Sequence, residues 1–425
     1  MERPITITKA EQTMKKNLLA LVLTASLPAI SSAASSAQQQ PELLYASLGE
    51  RVLGYRVDPS AGELQLISET KVPANLQFGV KNAKGSMLYV VSSNAGNGTL
   101  GAKGDTHVLQ AFSINKASGE LTAVGDVIAL PERPINLGLD RQDRFAVVAY
   151  NQSSTLSVHP IKADGSVSPA VPQGQVPQAG IFTHQVTFTP NDRFVIALAR
   201  GNDAVKQVPD QPGSVNTFAL DEQGLLHKVS VAAVDPGIGP RHLAYHPSQP
   251  WAYVAMERGS KLYMYKLKAD GSLQQAPSFK KDTLEHLSNL ETPRQRGGVI
   301  QLSPNGRFLY VSNRADAATE HEGKRVNNGG ENNIAVFAID QRTGEPHRIQ
   351  VIDGQGIEAR TMKVDPSGKL LIVANQMTQW VKDHGELRKR RSNLAVFRIE
   401  NSGKLQFVRK YEMDDESKSL LWMDI

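Results

Sequence analysis

The chain has 425 residues, 40% of them apolar and none of them cysteine, so it can bury a large core but can form neither disulfides nor thiolate metal sites. Cysteine nucleophiles and zinc fingers are therefore excluded, and the 47 Lys and Arg against 42 Asp and Glu, spread along most of the chain, point away from nucleic acid as a partner. Length alone suggests two or three domains, an expectation that gives way to an internal repeat.

From Met14 the chain reads as a secretory signal: basic Lys15 and Lys16, an apolar run from Leu18 to Ile30, and small-residue cleavage sites at Ser31-Ser32-Ala33 or Ser35-Ser36-Ala37. The run is shorter than the ~20 residues that a bilayer core requires, and Pro28 interrupts it. Residues 1–13 read as an upstream extension. Cleavage after Ala37 removes four basic and two acidic residues and lowers the net charge from +5 to +3. The expected organisation is a signal peptide with its extension over 1–37 and one domain over 41–425. In a bacterium the address is the periplasm, with no membrane attachment after cleavage.

Seven alternating apolar segments each run into a short polar turn with a marker glycine: VLGYRVDPSAGEL, LQAFSINKASGEL, LSVHPIKADGSV, VNTFALDEQGLL, LYMYKLKADGSL, IAVFAIDQRTGEP and LAVFRIENSGKL. The glycines are Gly62, Gly119, Gly165, Gly224, Gly271, Gly344 and Gly403. Period-2 alternation predicts half-buried strands, and the glycine supplies the backbone freedom of a hairpin turn. Between the hairpins lies a second pattern, a strand, a Pro-x-Gly/Asp type turn and a strongly apolar strand. It appears six times, as in FTPNDRFVIALAR, LSPNGRFLYVSNR and VDPSGKLLIVANQ.

Together the two patterns predict an all-β, seven-bladed β-propeller with four-stranded antiparallel blades. The missing half-copy is N-terminal, where PELLYASLGE begins at a second strand, so the orphan SLLWMDI is expected to close the ring as the innermost strand of blade 1. Val195, Ile196, Leu309, Val311, Leu371 and Val373 are expected to pack between blades. Insertions at about 94–107, 201–212, 276–297, 315–332 and 377–391 mostly follow second strands and should emerge on one face. HGELRKRRS, with Lys382 just before it, is expected to be a solvated basic loop, with polyanion binding as the alternative.

Residues at one phase of such a repeat form a ring around the central channel. With the turn proline or its equivalent as zero, position minus six reads Gln77, Ile135, His184, Arg241, Gly298 and Arg360, and position plus ten reads Ser93, Asn151, Arg200, Glu257, Arg314 and Gln376. Both phases open at one mouth, because one starts the innermost strand and the other ends its antiparallel neighbour. His184, Arg241, Glu257 and Arg314 are the expected catalytic residues, and Arg200, Arg360, Gln77, Asn151 and Gln376 the expected substrate-binding residues. Four arginines against one glutamate suit an anion or a developing oxyanion, and His184 and Glu257 are the candidate proton acceptors. Interblade ion pairing is the competing structural reading.

The segments GIGPRHLAYHPSQPWAYVAMERGS and IQLSPNGRFLYVSNR resemble hallmark stretches of the seven-bladed lactonase family, which contains propeller-type 6-phosphogluconolactonases and carboxy-muconate cyclases. The resemblance runs from about Leu43 to Asp414 and carries the family's histidine, two arginines and glutamate onto His184 in FTHQVTFTP, Arg241 in GPRH, Glu257 in YVAME and Arg314 in SNR. It departs at Thr183-His184, where Pro-His is common, and at Gly297-Gly298, where larger side chains are frequent.

The resemblance implies hydrolysis of a sugar lactone. The alternatives are a muconate-type lactonising cyclase and a non-enzymatic binding propeller. The expected partner is a small lactone or carboxylate, and the periplasmic address favours an unphosphorylated aldonolactone. No cofactor and no metal are expected: neither Gly-x-Ser-x-Gly nor His-Glu-x-x-His occurs, and His242 and His246 stand four apart on a strand, too far to share an ion.

Overall fold

The computed structural model describes residues 42–96, 102–204, 209–287, 295–315, 317–383, 385–414 and 418–425. The expected signal lies outside them. The chain belongs to an all-β architecture of radially arranged sheets. Blade 4 is representative: Thr183–Phe188, Phe194–Ala199, Ser214–Leu220 and Leu226–Ala233 pair in sequence order, all antiparallel. Blades 2 (76–129), 5 (240–282), 6 (295–353) and 7 (357–412) repeat that order. All seven marker glycines have positive φ, between 67° and 90°. At Gly344 a Cβ would also come within 2.5 Å of Met264 and 2.8 Å of Trp251, so the turn needs glycine for its backbone and for its approach to the preceding blade.

Blade 1 is built from both ends of the described chain. Glu42–Leu48, Arg51–Asp58 and Glu63–Lys71 form its outer three strands, and Met423–Asp424 pairs antiparallel with the first of them as the innermost strand. The amide of Trp422 donates to Ser47 Oγ at 3.0 Å, and its indole N–H donates to the Gly79 carbonyl of blade 2 at 2.7 Å. Asp424 pairs with Lys363 of blade 7 at 2.8 Å. One short segment thus ties three blades.

The core is seven separate apolar clusters, each between two adjacent blades. Strand alternation divides neighbours between them: Val195 packs toward blade 3 and Ile196 toward blade 5. Leu309 and Val311 pack against blade 5, and Leu371 and Val373 against blade 6, all fully buried as expected.

The structure departs from the expected pattern in two places. Blade 3 has only three strands, Pro134–Leu139, Phe145–Tyr150 and Leu156–Pro160. The next segment follows the blade through Ser168 N–H to Pro160 and Val171 N–H to Val158, but Pro169 and Pro172 lack the amides a regular ladder requires. The 315–332 and 377–391 insertions form strands, including the basic segment expected to be a loop. Ala318–His321, Lys324–Asn327, Gln379–Asp383 and Glu386–Arg390 form an eighth sheet, joined across blades 6 and 7 by the parallel pairing of Val326 with Trp380. The basic segment is therefore an edge strand of this canopy, in which Arg388 pairs with Asp383 and Glu386; like charges along an edge discourage further pairing.

Deleting residues from Ser417 onward should lower the melting temperature sharply, because it unpairs the inner edge of blade 1. Trp422→Ala alone should cost about 3–5 kcal/mol in urea unfolding. A truncated protein with an unchanged melting temperature would show that the C-terminal segment does not close the ring.

Candidate active site

The innermost strands of blades 2 to 7 share one irregularity. Register against the second strand shifts at Leu76/Phe78, Pro134/Asn136, Thr183/Gln185, Pro240/His242, Gly297/Ile300 and Ala359/Thr361, one extra residue each time. In five blades the extra residue is the position-minus-six residue: Gln77, Ile135, His184, Arg241 and Arg360. In blade 6 it falls within Gly298–Val299. A bulge takes a residue out of the ladder and re-aims its side chain, which is how polar residues are offered to the channel by otherwise apolar strands.

The result is a cavity of about 380 Å³ at the ring's centre. His184, Arg360, Asn151, Arg200, Glu257, Arg314 and Gln376 all line it, as expected. Arg241 does not: it is 1% exposed and lies behind Glu257. Gln77 also falls outside the lining, its amide oxygen instead accepting two bonds from Arg133, at 2.7 and 3.0 Å. The backbone of Gly297 explains the glycine pair: its N–H donates to the Glu257 carbonyl at 2.7 Å, and a Cβ there would meet the Met256 carbonyl at 2.4 Å.

Arg133, Phe182, Arg296, Glu358 and Arg325 also line the cavity and were missed by the two-ring stacking. The first four occupy a third phase of the repeat. Position minus eight reads Asn75, Arg133, Phe182, Gly239, Arg296 and Glu358, so the same alignment held the signal. Arg325 comes from the canopy, where no repeat phase could have indicated it.

Electrostatically the cavity is crowded with cations. Glu257 accepts from Arg314 at 3.3 Å and lies 3.5 Å from Arg241 and 3.8 Å from Arg200. Burial works against its charge, but Arg200, Arg314, Arg241 and Arg296 outweigh it and hold the carboxyl well below the usual carboxylate range. Burial and the neighbouring Arg360 bring Arg133 down to about 10. Arg200 stacks on Phe182, 3.8 Å from the ring centroid. His184 is held well below 6.5 by burial and by Arg241, Arg360, Arg200 and Arg314, so its imidazole is neutral at pH 7. Its Nδ1 has no hydrogen-bond partner, and its ring meets that of His242 edge to face at 5.2 Å. His246 does not join them: its Nε2–H donates to the Gly306 carbonyl and its Nδ1 accepts from the Ser248 N–H.

Such a cavity can bind an anion, stabilise a developing oxyanion and offer one neutral imidazole as proton acceptor. Fold and site together define a β-propeller with a basic basin at its axis. The chain belongs to the seven-bladed β-propeller lactonase family, whose model matches residues 44–384. It is 27% identical over 327 residues to the 6-phosphogluconolactonase of Bacillus subtilis, covering 74% of this chain and 82% of that one. The Pectobacterium carotovorum 6-phosphogluconolactonase is 26% identical over 366 residues, covering 86% and 92%. Among solved structures, a putative 6-phosphogluconolactonase from Bacteroides fragilis superposes with a TM-score of 0.69 at 20% identity, covering 92% of this chain and 99% of that one. A periplasmic gluconolactonase from Pseudomonas aeruginosa superposes equally well, at 21% identity over 89% and 97% of the two chains. At these identities the structures establish the shared fold.

His184 and His242 are both kept neutral by burial, whereas in the unfolded chain each would take up a proton below about 6.5. The unfolded state then binds more protons, so their contribution to stability is complete above pH 6.5 and is lost as the pH falls. The unfolding free energy from urea titration should therefore decline below pH 6.5 by up to ~1.4 kcal/mol per pH unit for each imidazole. The decline should be shallower in His242→Gln. Equal pH dependence in the two proteins would show that His242 is not held neutral.

Proposed function

We propose that the protein hydrolyses a sugar lactone in this basin. The observation that carries the reading is the concentration of arginines around a neutral, partner-deficient His184 in a chain of the lactonase family. Water attacks the ring carbonyl carbon as His184 takes its proton. The carbonyl oxygen becomes an oxyanion, facing Arg314, and the ring C–O bond then breaks as the proton passes to the leaving alkoxide. The lactone already contains a competent leaving group, so no metal or cofactor is needed for these steps.

Glu257 suits the role of counter-ion better than that of base. A carboxylate ion-paired with Arg314, Arg241 and Arg200 is committed to their charges, whereas the neutral His184 has an Nδ1 with no hydrogen-bond partner to give up. It keeps the arginines apart and aimed, with Arg241 supporting it from behind. Arg200, Arg360, Asn151 and Gln376, which line the same cavity, are assigned to substrate binding. Residues 1–37 are cut as a signal and the single domain over 41–425 acts in the periplasm, on an unphosphorylated aldonolactone.

The direct test is a pH-stat assay of the purified mature protein on plain and phosphorylated aldonolactones, corrected for spontaneous opening. Arg314→Ala should lower kcat by roughly 10²-fold or more. His184→Asn should cost about 10² to 10⁴ and abolish the acidic limb of the pH profile, which in the wild type lies well below pH 6.5 because that pKa is depressed. Glu257→Gln should slow turnover and leave the limb in place. Lys382→Ala, in the canopy outside the basin, should be silent. Full activity in all three basin variants would move the site elsewhere.

Export provides a separate test. Mass spectrometry of the protein released from the periplasm should find an N-terminus between about Ala34 and Gln38, as expected for cleavage after a small residue. An intact Met1 or Met14 on cytoplasmic protein would reject the address.

A further inference from the structure

Arg314 is held from two sides. One guanidinium nitrogen donates to Glu257 at 3.3 Å and the other to Glu358 at 2.8 Å. Glu358 itself sits in the left-handed region, with φ of 61°, where a side chain other than glycine's is strained. Such a conformation persists only where surrounding structure imposes it, and here the canopy insertion contributes a hold on the backbone. Asn332, at the base of the canopy hairpin of blade 6, accepts the Glu358 N–H at 2.8 Å and the Ala315 N–H at 3.1 Å through its side-chain oxygen, and donates to the Ala315 carbonyl at 3.3 Å.

The other base of the same hairpin does likewise. Asn327 donates to the Ala315 carbonyl at 3.0 Å and to Gln379 of the second canopy hairpin at 2.9 Å. Ala315, fully buried, is the residue next to Arg314. Two amides from an insertion therefore fix the backbone beside Arg314, and one of them also fixes the strained residue whose carboxylate receives the guanidinium. Interblade packing does not require this, since blades 6 and 7 already share an apolar cluster containing Tyr310, Met362 and Val373.

We propose that Glu358, locked in a strained conformation by Asn332, is a positioning residue that aims Arg314 into the basin, so that the canopy insertion sets the geometry of the catalytic arginine. This rests on the lactone reading for its kinetic consequence, though its structural consequence is independent of turnover. Misplacing a charge-stabilising group by an ångström is enough to slow a reaction without changing which groups are present.

The experiment pairs kinetics with crystallography on the full-length mature protein. Glu358→Gly removes the carboxylate and relieves the backbone. It should lower kcat per folded molecule by about 10²-fold with KM changed far less. Glu358→Gln, which keeps an acceptor for Arg314, should recover most of the loss. A crystal structure of Glu358→Gly should show the Arg314 guanidinium displaced from its contact with Glu257. Asn332→Ala should displace it in the same sense with a smaller kinetic effect, and serves should the glycine variant fail to fold. An Arg314 that stays in contact with Glu257 in either variant, or a wild-type kcat in Glu358→Gly, overturns the proposal. If the wild type opens no lactone, the crystal structures still decide the positioning role, and only the lactone reading falls.

Discussion

The extra residue in each innermost strand is the feature on which the site depends. A propeller strand buried on both faces is apolar almost by necessity, and a regular ladder would turn its alternating side chains toward the neighbouring blades. A β-bulge at one phase releases a single position from that alternation. Repeated from blade to blade, it lets His184, Arg241 and Arg360 stand among strands whose other residues belong to the interblade clusters. The polar basin and the apolar core are thus made by the same strands.

Charge then has to be managed. The bulge phase and the second-strand ends together bring Arg200, Arg241, Arg314 and Arg360 toward one axis, and the third phase adds Arg133 and Arg296. Burying that many like charges is costly unless carboxylates are interleaved. Glu257 and Glu358 meet that need locally, each accepting from Arg314, while Asp203 receives Arg296 and Arg258 from outside the basin, its own carboxyl lowered to about 2 despite burial. The carboxylates remain outnumbered, so the basin is built to accept negative charge from a ligand or a transition state.

The parts of the structure legible in the sequence are those that repeat. Seven glycine turns and six apolar strand pairs identified the blade count, and the orphan SLLWMDI identified the closure, because a missing half-copy at one end matched a spare strand at the other. Stacking at two phases found His184, Glu257 and Arg314, since those phases coincide with the bulge and the second-strand end. It misplaced Arg241 and Gln77 because phase locates a residue along a strand and says nothing of how deep its side chain lies. Arg133, Arg296 and Glu358 were readable one step away, at a phase that mixes Asn, Phe and Gly with the charged residues and so lacks a uniform polar signature. The canopy was not legible: its four strands are four or five residues long, and ELRKR has the composition of a solvated loop.

The canopy also separates what the scaffold supplies from what the insertions supply. The ring delivers side chains to the axis at fixed phases, but every blade delivers them by the same backbone path, which leaves little freedom to tune a single one. Insertions after the second strand escape that restriction, since they begin at the residues that end in the basin. In blade 6 the insertion begins directly after Ala315, and its two basal asparagines return to that residue. Arg314 is therefore fixed by ring and insertion together, as Arg296 is through Asp203 of the 201–212 insertion, whereas Arg325 belongs to the insertion alone. On the proposed positioning role, a change in either hairpin of the canopy would alter the aim of Arg314 through Asn327 and Gln379 without touching a blade, so the insertion adjusts one side chain while the ring sets the phase at which all of them reach the axis.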